Sequence, residues 1–203
     1  MTTLLLLRHG QNEWVSTGRL AGWTPEVHLN DKGREQSELL GKRLASAKLT
    51  AVYSSPLVRC VETAEATAQH FPNLEVQLED GIGEVQFGDW TGKKLSLLRL
   101  KRSWQQVQRY PSGFRFPNGE SFSEMQHRAV TTCERLATRH PGGRIAIFSH
   151  ADVIKVIVAH YLGVHLDLFQ RINISPASLT SVVLGRVGPF VYTVNDTGHL
   201  VQP

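Results

Sequence analysis

Short apolar runs alternate with amphipathic helical stretches from the first residues of the chain onward, and this layout leaves few architectures open. Strands that are apolar on both faces must be covered on both, so the pattern predicts parallel strands with helices packed against either side. The expected fold class is α/β: a three-layer sandwich with a mostly parallel central sheet flanked by helices. Thr3 to Leu7 reads as one buried strand, Ala51 to Tyr53 as a second, and Arg144 to Ser149 as a central one. A short strand near Glu75 to Leu78 and a closing hairpin, Ser181 to Leu184 with Phe190 to Val194, complete the set.

The intervening helices carry their own start and stop signals. Asp31 to Ala47 places Leu40, Leu44 and Ala47 on one stripe. Ser55 reads as an N-cap with Pro56 at the first helical position, opening a helix that runs to about His70 and stops near Pro72. Ser121 with Glu124 makes a capping box, followed by a core-facing stripe of Phe122, Met125, Ala129, Cys133 and Leu136. Val153 to Leu162 is apolar nearly all round, as a buried helix is, and Gly163 serves as its stop.

Size and composition agree with one domain over residues 1–203. A chain of 203 residues buries roughly 70% of its extended surface in a single core. Hydrophobic residues at 41% and charged ones at 20% exclude a disordered chain. The two cysteines, Cys60 and Cys133, each fall in a helical pattern, which excludes a disulfide scaffold and a cysteine-rich zinc site. With no basic leader and no apolar run of spanning length, the expected location is cytoplasmic, without a membrane partner.

The net charge of +4 is local. Between Thr91 and Gly119 stand seven basic residues and no acidic one. This stretch is expected to be an insertion forming a basic lid, with Leu97, Leu100, Trp104 and Val107 at helical spacing beside the charges. Nucleic acid is not the expected partner, because few stacking aromatics, such as Trp104 and Tyr110, are interleaved with those charges.

Ligands of open α/β sheets collect at the carboxyl ends of strands. Two strands end alike: Leu4 to Leu7 runs into Arg8, His9 and Gly10, and Ile145 to Phe148 into Ser149 and His150. A third end, Ser54-Ser55-Pro56, precedes Arg59. Two guanidinium groups, two imidazoles and a helix N-terminus suit a multiply charged oxyanion, phosphate above all. Chemistry on phosphorus needs a nucleophile, which a neutral His9 or His150 supplies, and an acid for the leaving oxygen. Glu84, in a glycine- and aromatic-rich loop, is the best-placed acid, with Asp80 and Asp89 as neighbours competing for the role.

These residues resemble the histidine phosphatase superfamily, also called phosphoglycerate-mutase-like. Arg8-His9-Gly10 resembles its defining motif, and Gly18 to Trp23 with Leu29 to Gly33 its next block. Ser54 to Arg59 with Thr63-Ala64-Glu65 is similar to the segment of the second arginine. Glu84 to Gly92 resembles the acid loop, Pro117 to Glu124 the Gly-Glu-Ser block, and Ser149-His150 to Gly163 the second-histidine segment. The resemblance implies a phosphohistidine on His9, phosphoryl oxygens held by Arg8, Arg59 and His150, Glu84 as acid and then base, and neither metal nor other cofactor.

The chain also departs from that pattern. Val15 stands where many members place an asparagine, Ala21 where mutases place threonine or serine, and Asn12 where threonine or serine is usual. Asn12 is expected to take over part of the missing phosphoryl contact. The expected activity is a metal-independent phosphomonoesterase acting on a small phosphorylated metabolite. The alternatives are a phosphoglycerate-type mutase and a non-catalytic binder of phosphorylated ligands. The oligomeric state stays open, a homodimer included.

Overall fold

The computed structural model describes residues 1–201. In chain order the elements are β1 (Thr2–Arg8), α1 (Glu13–Ser16), α2 (Asp31–Leu44), β2 (Ala51–Ser54), α3 (Val58–Ala68), β3 (Val76–Leu78), α4 (Leu95–Leu98), α5 (Arg102–Arg109), α6 (Phe122–Arg139), β4 (Arg144–Ser149), α7 (Ala151–Tyr161), β5 (Leu179–Gly185) and β6 (Gly188–Asp196), with short 3₁₀ turns between. One sheet runs in the order β3-β2-β4-β1-β5-β6. β1 to β4 are parallel, and the hairpin β5-β6 adds antiparallel to β1.

Successive side chains of a strand point to opposite faces, so β1 serves two cores. Leu4 and Leu6 join Ile145, Ile147 and the apolar faces of α6 and α7. Leu5 and Leu7 join Ala146, Phe148, Leu40, Leu44, Cys60 and Ala64 on the face covered by α2 and α3. The result is the expected three-layer sandwich. The capping box at Ser121 and Glu124 is formed, and its stripe from Phe122 to Leu136 is fully buried. Gly163 ends α7 with φ +66°, the left-handed conformation that favours glycine.

Three local expectations give way to tertiary constraints. Ser55 caps no helix: α3 starts only at Val58, with Leu57 as its cap. The Ser55 N–H instead donates to Phe148 O at 2.9 Å, extending the pairing of β2 with β4 by one residue. α2 stops at Leu44, so Ala47 packs against its core from the following loop. Between Thr91 and Gly119 there is no single helical stripe, because the chain turns between α4 and α5; Leu97 and Leu100 are 60% and 84% exposed. Val107 of that stripe is buried and Trp104 packs beside it, while Leu98, Phe114 and Phe116 take the other buried places, in the same core as α6 and α7. Among the described residues no helix is long and apolar enough to cross a membrane.

Candidate active site

β1 and β4 are neighbours in register, with Arg8 opposite Ser149, so the residues that leave their carboxyl ends emerge side by side. The His9 N–H donates to Ser149 O at 3.1 Å, and the two imidazoles lie with ring centroids 5.3 Å apart. β2, on the other side of β4, delivers Ser55 and the first turn of α3 to the same rim. The strand order β2-β4-β1 thus brings the three polar strand ends together at one rim.

His9 is buried, and its Nδ1 lies 2.7 Å from Gly10 O. A carbonyl only accepts, so Nδ1 carries the proton and Nε2 keeps its lone pair. Burial, then the positive charges of Arg59 and Arg8, hold the His9 pKa well below that of a free imidazole. A neutral imidazole in this tautomer has the form a phosphorus nucleophile needs. The backbone after it is clamped: Gly10 N–H donates to Thr63 Oγ1 at 3.1 Å, and a Cβ on Gly33 would lie 1.9 Å from Gln11 O.

Three donors that have no hydrogen-bond partner among the described residues line the same cavity, which holds about 180 Å³. They are Arg8 Nε, Arg59 Nη1 and Asn12 Nδ2. Other atoms of each group are firmly tied. Arg8 Nη1 donates to Ile174 O at 2.7 Å, Arg59 Nη2 to Gly22 O at 2.8 Å, and Asn12 Oδ1 accepts from Val15 N–H at 2.8 Å as the N-cap of α1. Fixed side chains with a spare buried donor are preorganised for an anion, since desolvated groups of this kind are costly unless a ligand meets them. Val15 and Ala21, two of the three departures noted in the sequence, form part of the same wall as the third, Asn12.

Glu84 completes the group. Its Oε2 lies 3.5 Å from His150 Nδ1 and 3.9 Å from Arg59 Nη2. Burial raises its pKa from 4.5 to about 7, more than the Arg59 guanidinium lowers it. The loop that carries Glu84 is braced by residues to which sequence reasoning assigned no role. Arg128 of α6 donates to Gly81 O, Gly83 O and Glu84 O at 2.8–3.0 Å while pairing with Glu120, and Trp23 Nε1 donates to Glu84 O at 2.6 Å. A single arginine on an amphipathic helix carries no sequence signal for such a role. The competing acids stand elsewhere: Asp89 pairs with Asn118 on the surface, and Asp80 is exposed.

His150 is fully buried, with Nε2 2.8 Å from Ser55 Oγ and Nδ1 3.4 Å from Arg59 Nη2. Arginine only donates, which assigns the His150 proton to Nε2, pointing at Ser55. An unprotonated Nδ1 facing Glu84 is compatible with the carboxylic acid rather than the carboxylate. Burial, then Arg59, lowers the His150 pKa well below its ordinary value. Cys60, 3.5 Å from His150 Nε2, is no rival nucleophile, since burial pushes its thiol up to about 12.

Residues 4–197 match the model of the histidine phosphatase superfamily, branch 1. The chain belongs to the histidine phosphatase superfamily. It is 30% identical to phosphoserine phosphatase 1 of Hydrogenobacter thermophilus, over 98% of this chain and 95% of that protein. YhfR of Bacillus stearothermophilus superposes with a TM-score of 0.92 at 28% identity, covering 99% of this chain and 100% of the other. A mutant phosphoserine phosphatase of Entamoeba histolytica, solved with phosphoserine, superposes at 0.90 with 25% identity over 99% and 100% of the two chains. The sandwich is therefore the phosphoglycerate-mutase-like fold, and the chain is a phosphatase enzyme of this superfamily.

Proposed function

We propose that the chain hydrolyses phosphomonoesters of small metabolites in two steps, through a phosphohistidine on His9. The observation that carries this reading is a buried, neutral His9 with its Nε2 lone pair available beside three buried donors that lack a partner among the described residues. In the first step the Nε2 lone pair forms the N–P bond as the ester P–O bond breaks, and the proton of Glu84 passes to the departing oxygen. In the second, water adds to phosphorus, the N–P bond breaks, and Glu84 takes the water proton. Inorganic phosphate and free His9 result. Arg8, Arg59 and Asn12 hold the equatorial oxygens, where charge is spread in the transition state. A phosphoryl dianion seated beside His150 favours its imidazolium form and makes it a further donor. Neither step requires a metal or cofactor.

Hydrolysis is favoured over transfer within a phosphoglycerate by the cavity wall, where Val15 and Ala21 offer no polar contact to a second anionic group. A non-catalytic binder has no use for a carboxyl held at a pKa of about 7 beside the nucleophile. The 91–119 segment serves as the cover of the leaving-group side, since α4 and α5 wall a second cavity of about 330 Å³ next to the first. The test is phosphate release from 4-nitrophenyl phosphate and a metabolite panel in EDTA, run with a trap for acid-labile phosphohistidine. Turnover and trapped phosphoryl in the natural chain, both lost in His9→Ala at an unchanged melting temperature, are the expected results. Full activity in His9→Ala rejects His9 as nucleophile.

A further inference from the structure

The two neighbouring cavities meet at a residue the reaction above does not use. Asp152, on the first turn of α7, lines both the phosphoryl cavity and the larger one under α4 and α5. Its Oδ1 accepts from Lys155 Nζ at 3.1 Å, and among the described residues Oδ2 has no hydrogen-bond partner. Lys155, one turn further along α7, lines only the larger cavity, where its ammonium also donates to Gln170 Oε1 at 3.2 Å. A second carboxyl group beside Glu84, in the cavity that Arg8 and Arg59 line, weakens the grip on a phosphoryl group. At the junction, however, it is well placed to meet the leaving group rather than the phosphate.

We infer that Asp152 and Lys155 together read the leaving group, selecting a phosphoester whose leaving alcohol carries an ammonium and a carboxylate on one carbon, as an amino-acid phosphomonoester does. Two opposite charges 3.1 Å apart complement a substrate zwitterion in head-to-tail order: Asp152 Oδ2 accepts from the ammonium, and the Lys155 ammonium, reachable from the larger cavity, meets the carboxylate. A leaving group bearing only negative charge sets that charge against Asp152 instead. The inference rests on the phosphatase reading above and names the substrate class of that same site.

Phosphoserine and 3-phosphoglycerate share one skeleton, with ammonium exchanged for hydroxyl, and phosphoethanolamine keeps the ammonium without the carboxylate. Dissociation constants for the three, measured by calorimetry on His9→Ala so that nothing turns over, test the reader independently of catalysis. The expected results are phosphoserine tightest, its preference over 3-phosphoglycerate falling about tenfold or more in Asp152→Asn, since a charge-assisted hydrogen bond is lost. Lys155→Met is expected to weaken phosphoserine and 3-phosphoglycerate alike, with phosphoethanolamine changed less than threefold. Equal shifts for all three ligands in Asp152→Asn, or an unchanged ratio, overturn the inference. Asp152→Ser, melted alongside, shows the same ratio change if the carboxylate matters and the original ratio if only helix capping does. Failure of the phosphatase reading shows separately, as absent phosphate release from every substrate by the natural chain.

Discussion

Replacing Glu84 by glutamine separates its catalytic cost from its effect on stability, and the two should run in opposite directions. In the native chain burial lifts the Glu84 pKa from 4.5 to about 7. At 1.36 kcal/mol per pH unit, that rise corresponds to about 3 kcal/mol of native-state penalty on the ionised form. The folded chain binds more protons at this site than the unfolded chain between pH 4.5 and 7, so stability falls as pH rises through that window and levels off above it. Glutamine matches the neutral acid in shape and never ionises. Glu84→Gln should therefore equal the natural chain in urea melts near pH 4 and exceed it by up to about 3 kcal/mol above pH 7.5. Turnover should move the other way, by a factor of about 10² to 10⁴ on an alkyl phosphate, whose leaving oxygen needs the proton, and by less on 4-nitrophenyl phosphate. Parallel stability profiles across the whole range would refute the burial argument. Undiminished alkyl-ester turnover would refute the acid role.

The other predictions concern what holds the site in place. Arg128→Met leaves Glu120, whose side chain is 10% exposed, without its partner and frees three loop carbonyls. Loss of about 3 kcal/mol in denaturant melts and a drop in kcat larger than the change in KM are expected. Gly33→Ala drives a Cβ into Gln11 O, and a fall in melting temperature with loss of turnover should follow, because the strand end bearing His9 must shift. Asn12→Ala removes both the cap on Val15 N–H and the spare Nδ2 donor. About 1 kcal/mol of stability should go with the cap, and KM should rise several-fold; unchanged apparent affinity would take Asn12 out of the phosphoryl seat.

How much of this was legible in the sequence depends on whether a residue's role is set by its own segment or by its neighbours in space. Arg8, His9 and His150 follow directly on apolar strands, and parallel sheets put such residues at one rim, so the strand pattern alone points at them. Their convergence is a property of the strand order, because β4 lies between β2 and β1, and no local pattern encodes that order. Arg128 and Asp152 were invisible for the same reason: each sits on a helix face that looks like ordinary surface until the neighbouring loop or cavity is in place.

Ser55 shows the limit most plainly. Serine before proline at the end of an apolar run has two good solutions, a helix N-cap or one more residue of strand pairing, and each satisfies a backbone N–H. The sheet wins because two distant groups need what Ser55 offers. Phe148 O takes its N–H, and the buried Nε2–H of His150, which lies 2.8 Å from Ser55 Oγ, takes its hydroxyl as acceptor. A cap would have left a buried imidazole proton without a partner, at a cost of about 1–3 kcal/mol. Capping a helix end is worth about 1 kcal/mol. The tertiary hydrogen bond outweighs the local one, and the helix accordingly begins two residues later than expected, at Val58, with no side-chain cap.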